Sequence, residues 1–272
     1  MQDFSLSPRE TAASLWRNRG LVWALIQREI AGRYRGSIMG LLWSLFNPIF
    51  MLAIYTFVFS VVFKARWNAG SESKTEFALM LFAGLMIFSL FSECLNRAPG
   101  LIIGNTNYVK KVVFPLEILP WVALGSAMFH FLVSLTVWML AYAILFGRPN
   151  PTVIFLPLVV FPLVFFSLGV TWFLASLGVF LRDVGQVISV LIPVLMFMSP
   201  IFYPVTALPE AYQGYLMMNP LTPVIEQARV VMFSGQLPDF ALLARNGLAS
   251  LLVFWLGFAW FQKTRKGFAD VL

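Results

Sequence analysis

The stretch "REIAGRYRGSIMGLLWSLFNPIF" (residues 28–50) decides the fold. Its first eight residues carry four charges and the remaining fifteen carry none. A basic cluster running directly into Trp, Leu and Phe, with no turn between, reads as the flank and start of a membrane span. The rest of the chain agrees. Sixty per cent of residues are apolar and 11% are charged, against about 25% charged in soluble domains. Uncharged runs extend over 36–63, 118–147, 149–181 and 184–209, which are 28, 30, 33 and 26 residues. Each exceeds the roughly 20 residues that cross a bilayer as a helix. Two shorter runs, 77–92 and 246–262, reach 16 and 17 residues. The fold class is therefore all-α and membrane-embedded, with six spans predicted at 37–63, 77–97, 116–146, 152–181, 184–204 and 243–262. The domain division that follows is a cytoplasmic N-terminus, 1–36, and a single transmembrane domain, 37–272.

In such a chain the net charge of +7 reports topology rather than nucleic-acid binding. With the N-terminus inside, thirteen of the 19 cations fall on the cytoplasmic side: Arg9, Arg17, Arg19, Arg28, Arg33, Arg35, Arg97, Lys110, Lys111, Arg182, Lys263, Arg265 and Lys266. Lys64, Arg66, Lys74, Arg148, Arg229 and Arg245 fall outside. The bias predicts both termini in the cytoplasm. No cleaved signal peptide is expected, so the first span serves as the insertion signal. The single Cys94 excludes an internal disulfide.

Ahead of the first span, Val22, Trp23, Ile26, Ile30 and Tyr34 recur at spacings of three and four. That spacing predicts an amphipathic helix in the membrane surface, with Arg28, Arg33 and Arg35 toward anionic headgroups; the alternative is a basic flank that only sets topology. Between spans five and six, "PVTALPEAYQGYLMMNPLTPVIEQARVVMFSGQLPDF" (204–240) holds five prolines, too many for a continuous span, yet is too apolar for a solvated loop. Two short re-entrant or interfacial helices, 208–218 and 222–234, are predicted on the outer side; the alternative is a loop lying on the headgroups.

No phosphate-binding G-x-x-x-x-G-K-[ST], H-E-x-x-H, G-x-S-x-G or paired-Cys motif occurs. His130, alone in the third span, reads as an interhelical hydrogen-bonder rather than a ligand. Glu93 has Arg97 four residues on, a spacing that predicts structural pairing. No deep carboxylate suggests ion coupling. If the chain moves a cargo, the energy must come from another chain gripping its cytoplasmic segments. Two segments qualify: "APGLIIGNTNYVKKVVFP" (98–115), with Asn105, Asn107, Tyr108, Lys110 and Lys111, and the "LRDVG" turn (181–185), with Arg182 and Asp183. Lys110 and Lys111 are equally explained by the positive-inside bias.

The chain resembles the permease subunits of ABC-2-type polysaccharide exporters, which move O-antigen, capsule or teichoic acid. The matching stretches are "REIAGRYRGSIMGLLWSLFNP" (28–48), "KKVVFPLEILP" (110–120), "FLRDVGQVI" (180–188), "SPIFYPVTALPE" (199–210), "NPLTPVIEQAR" (219–229) and "FQKTRKGFADVL" (261–272). The resemblance implies a homodimer in the bacterial inner membrane, docked on two copies of an ABC ATPase that holds the ATP and Mg. It implies no cofactor, metal or catalytic residue in this chain. It makes 98–115 a coupling region, 204–240 an outer gate and the N-terminal helix, with Trp23, an interface helix. The cargo would be a lipid-linked glycan threading a channel lined by aromatics. Candidates are Trp43, Phe46, Asn47, Phe50 and Tyr55 in the first span, Phe202 and Tyr203 after the fifth, and Tyr212 and Tyr215; Trp43, Asn47 and Phe50 can share one helix face. Membrane lipids are the other expected partner, and nucleic acid is not. Three alternatives stay open at this point. They are an ABC-2 exporter of a drug or lipid, an ion-coupled secondary transporter, and a membrane transferase using Glu93, Glu117 or Asp183.

Overall fold

The computed structural model describes residues 6–59, 74–109 and 114–272. The described residues are helical, without strands. Helix α1 (Pro8–Arg17) starts where the Ser7 side chain accepts from the Arg9 N–H and Pro8 occupies the first turn, both favourable at a helix start. After Asn18, α2 (Arg19–Tyr34) presents Val22 and Leu25 to Ile118 and Val122. Ile26 fills a notch left by Gly125, where a Cβ would lie 2.2 Å from the isoleucine Cδ1. The amphipathic face thus packs on protein. Trp23, predicted on that face, is exposed, and Leu25 takes its place.

The chain does turn between the arginines and the first apolar helix. Helix α2 ends at Tyr34 and α3 (Leu42–Phe57) begins eight residues later. Gly36 (φ 82°) and Gly40 (φ 51°) take left-handed conformations that only glycine adopts without a Cβ penalty. A run of apolar residues hides such a turn, because a glycine pair costs nothing in hydropathy. The first apolar helix therefore starts at Leu42 rather than at 37.

The bundle continues with α4 (Lys74–Arg97), two short helices, α5 (Gly100–Ile103) and α6 (Thr106–Val109), then α7 (Leu119–Phe146), α8 (Leu156–Phe180) and α9 (Val184–Phe197). Helices α10 (Glu210–Met217) and α11 (Leu221–Arg229), the latter running into a π-helical turn over Val230–Ser234, occupy the proline-rich segment. Helix α12 (Phe240–Thr264), capped by Asp239 accepting from Ala241 and Leu242, precedes a short α13 (Phe268–Val271). Among the described residues, four apolar helical stretches are long enough to cross a membrane: Thr75–Arg97, Leu116–Phe146, Pro151–Phe180 and Phe240–Val271. Leu42–Phe57 and Val184–Phe197 are apolar but shorter. Helix α9 is 14 residues long, about 21 Å at 1.5 Å per residue. It stops well short of the predicted 204, because "SPIFYP" places prolines at 200 and 204 and breaks the backbone pairing.

Inside a bilayer, burying an apolar side chain against another helix gains little over lipid, so close packing and hydrogen bonds hold the bundle. Helices α8 and α12 meet backbone to backbone: a Cβ on Gly257 would lie 2.0 Å from the Gly169 carbonyl oxygen. Trp138 and Trp172 are fully buried, and each indole finds a carbonyl, on Leu79 (3.1 Å) and on Glu117 (3.0 Å). The ends of the chain converge on Glu117. Ser14 donates to its Oε1 at 2.8 Å, and Arg265 donates to its Oε2 at 2.5 Å. That node ties α1 to the start of α7 and the end of α12.

Candidate functional site

A polar cavity of about 280 Å³ lies where the end of α2 meets α3, α4 and α7. Part of its lining is apolar: Pro48, Met51, Phe82, Leu85 and Met86. Its walls carry Arg33 and Tyr34 from α2, Ser44, Asn47 and Tyr55 from α3, Ser89 and Glu93 from α4, and His130 and Ser134 from α7. Glu93 pairs with Arg33 at 2.8 Å and with the His130 Nδ1 at 2.9 Å. The Tyr34 hydroxyl lies 3.2 Å from the other ring nitrogen. Burial raises the Tyr34 phenol above its ordinary value, so it serves as a neutral hydroxyl.

His130 is thus an interhelical hydrogen-bonder, as its isolation in an apolar span predicted. The predicted Glu93–Arg97 pair is not formed; Arg97 is ion-paired with Glu29 on α2. Spacing along one helix reports what can pair, and a partner from another helix is invisible to it.

The five channel candidates of α3 occupy two adjoining faces. Trp43, Phe46 and Phe50 form an exposed aromatic ladder, with ring centroids 5.6 and 6.1 Å apart. Asn47 and Tyr55 turn toward the cavity with Ser44 and Met51. At 100° per residue Asn47 sits at the boundary, beside Trp43 and Phe50 but on the polar side. Past the far end of α3, Phe202 packs on Phe59 and Phe197 at 6.3 and 5.4 Å, and the Tyr203 hydroxyl donates to the Phe197 carbonyl. Tyr212 and Tyr215 stand exposed on α10.

The two candidate coupling segments are neighbours. Pro99 packs into α8 at Gly178, where a Cβ would lie 2.4 Å from the proline carbonyl oxygen, and it borders Gly185 at the start of α9. Arg182 and Asp183 are exposed in the turn beside it. Asn105 donates to the Leu101 carbonyl at 2.9 Å, Asn107 is exposed, and Tyr108 stacks on Phe114 with centroids 4.1 Å apart. Arg28 of α2 donates to the Tyr108 hydroxyl at 3.0 Å, so α6 is tied to the helix that forms one wall of the cavity. Lys110 and Lys111 lie outside the described residues. Arg28 and Arg35 are exposed.

Sequence reasoning missed Arg229, counted there as an outer-loop cation. It is 5% exposed. Its guanidinium donates to the carbonyls of Met80 (3.2 Å), Pro200 (2.5 Å) and Ile201 (2.9 Å) and pairs with Glu226 at 3.1 Å. No signal in composition marks it, since its partners are backbone oxygens.

A bundle of apolar helices long enough to cross a membrane, enclosing an ion-paired cavity, is the architecture of a multi-pass membrane protein. The chain belongs to the ABC-2 type transporter family, whose pattern it matches over residues 20–233. It is similar to an O-antigen export system permease protein, RfbA, of Myxococcus xanthus, 29% identical over 94% of this chain and 96% of the relative. It is also similar to RfbA of Klebsiella pneumoniae, at 26% over 93% and 95%. A polysialic acid transport protein, KpsM, of Escherichia coli is 27% identical over 89% and 92%.

Proposed function

We propose that this chain is the channel-forming permease subunit of an ATP-driven exporter that carries a lipid-linked polysaccharide across the bacterial inner membrane. One observation carries the reading: permeases named for O-antigen and for polysialic acid export match this chain nearly end to end. Two copies of the chain form the conduit, and two copies of an ABC ATPase, holding ATP and Mg, dock beneath it. Residues 1–36 are the cytoplasmic N-terminus with its interface helix, and 37–272 are one transmembrane domain. Six spans leave both termini in the cytoplasm, with α3 and α9 as short first and fifth spans. Helices α10 and α11 form the re-entrant outer gate.

The chemistry of the walls suits such a cargo. A long polar chain needs a wet path without tight fixed sites. The ladder of Trp43, Phe46 and Phe50 covers apolar faces of sugar rings, while Asn47, Tyr55, Tyr203, Tyr212 and Tyr215 offer hydrogen bonds that exchange as the chain slides. Membrane lipids bound the outer faces. ATP shifts the conduit only by binding the closed ATPase dimer more tightly than the open one. That motion enters through Asn105, Asn107, Tyr108, Lys110 and Lys111 and through the Arg182–Asp183 turn, and reaches α2 by the Arg28–Tyr108 bond.

Deleting the gene in its host is expected to abolish surface polysaccharide while lipid-linked glycan accumulates inside, both read by gel electrophoresis of cell-surface and membrane fractions. A plasmid copy restores export. A deletion strain with full surface glycan would instead support a drug or lipid as cargo.

A further inference from the structure

Helix α2 seats its apolar face on α7 but reaches α4 through charge. Arg33 pairs with Glu93, and Arg97 pairs with Glu29. The order of the four residues has a consequence. On α2 a glutamate precedes an arginine by four positions, Glu29 and Arg33; on α4 the same order recurs, Glu93 and Arg97. Four positions is one turn, so each helix carries both charges on one face, in the orientation that favours pairing within a helix. The quartet therefore has two complete pairings. The one observed runs across the helices. The other runs along them, Glu29 with Arg33 and Glu93 with Arg97.

This matters because the Glu93 side chain is only 16% exposed. Stranding such a charge without a partner is costly. With a partner available along the same helix, and His130 of α7 holding the carboxylate as well, α2 can leave α4 without stranding any of the four. The surroundings permit movement. Helix α2 is anchored by Val22, Leu25 and Ile26 in its first half. Its last turns lead into the Gly36 and Gly40 turns, and the Arg33 side chain is 46% exposed.

We propose that Glu29, Arg33, Glu93 and Arg97 form a two-state switch. It exchanges interhelical for intrahelical ion pairs as the last turns of α2 part from α4, and so opens the polar cavity once per transport cycle. The role in a cycle rests on the reading of the chain as an ATP-driven permease. The four are positioning residues, acting through the width of the cavity.

The test reverses one rung. In Glu29→Arg/Arg97→Glu both interhelical pairs persist, but each helix then carries like charges one turn apart, so the open pairing is lost. The variant is expected to assemble and melt like the native complex and to export at about one tenth of its rate or less. Glu29→Gln/Arg97→Gln keeps one interhelical pair and loses both intrahelical ones without adding like-charge repulsion, and is expected to export at a rate between the reversed rung and native. A merely structural clasp gives the reverse ranking, with the reversed rung harmless and the neutral one damaging; native export by the reversed rung overturns the switch.

A second arm does not depend on how the reversal folds. Glu29→Cys/Arg97→Cys, in a Cys94→Ser chain assembled with its ATPase, is joined by a reducible bis-methanethiosulfonate cross-linker. Cross-linking is expected without nucleotide, to fall several-fold when ATP and vanadate trap the complex, and to stop export until reductant is added. Failure to cross-link without nucleotide, an unchanged yield on trapping, or export by cross-linked chains overturns the proposal. The nucleotide response of the cross-link is independent of cargo. If it holds while the native complex exports no glycan, the cargo assignment fails and the switch stands.

Discussion

Replacing Arg229 by methionine is expected to leave almost no folded protein in the membrane. The guanidinium is the donor for three backbone carbonyls, Met80 on α4 and Pro200 and Ile201 in the turn after α9, and it pairs with Glu226 one turn back on its own helix. It therefore fastens α4, α11 and the end of α9 at one point. Methionine fills the space but leaves the Pro200 and Ile201 carbonyls without their donor and the Glu226 carboxylate without its partner. Each orphaned carbonyl costs about 1–3 kcal/mol, so the two cost about 4 kcal/mol before the stranded carboxylate is counted, enough to unfold a marginal bundle. Arg229→Lys keeps the charge but has no planar fork to serve carbonyls on different elements. It is expected to fold and to melt about 10 °C lower. Fluorescence-detected gel filtration of tagged variants reads both outcomes. A methionine variant eluting and melting like the native chain would show that these contacts do not hold the three elements together.

Gly257→Val is expected to be nearly as damaging, for a steric reason. A Cβ at 257 would lie 2.0 Å from the Gly169 carbonyl oxygen, and one at 169 would lie 2.4 Å from the Val253 carbonyl oxygen. Both obstacles are backbone, which cannot rotate away. Valine would force α8 and α12 apart and spoil the packing around Trp172 and Phe258, which meet edge to face with centroids 5.3 Å apart. The cost is about 3 kcal/mol. Gly214→Ala on α10, with nothing within 4 Å of its added methyl, is the matched control and is expected to be neutral or slightly stabilising. Equal melting of Gly257→Val and the native chain would contradict the close crossing.

The places of the apolar helices could be read from uncharged runs because lipid tolerates few other sequences, and the two short helices near 210 and 221 could be read from their prolines. What escaped was set by backbone or by contacts between helices. Gly36 and Gly40 are apolar by composition, so the turn they make was read as part of a span. The length of α9 was overestimated because hydropathy continues past Pro200, where pairing of the backbone does not. Glu93 and Arg97 were read as partners from spacing alone, whereas the helix that separates them, α2, arrives from a distant part of the chain. Arg229 has the sequence surroundings of a loop cation, because nothing in composition marks backbone oxygens as its partners. Asn47 and Tyr55 stand out in the sequence of α3, yet the cavity they line is equally built from Ser89, Glu93, His130 and Ser134, which no periodicity in α3 indicates.

That this bundle is a passive conduit, driven by a separate nucleotide-hydrolysing partner, is tested most directly by reconstitution. The purified chain is placed in vesicles with and without its ATPase, and movement of lipid-linked glycan to the far leaflet is followed by protection from an added glycosidase. Export that requires both the ATPase and ATP, and that persists when proton and sodium gradients are collapsed, is the expected result. Uphill export by the chain alone, or export that follows an ion gradient with ATP absent, would contradict it.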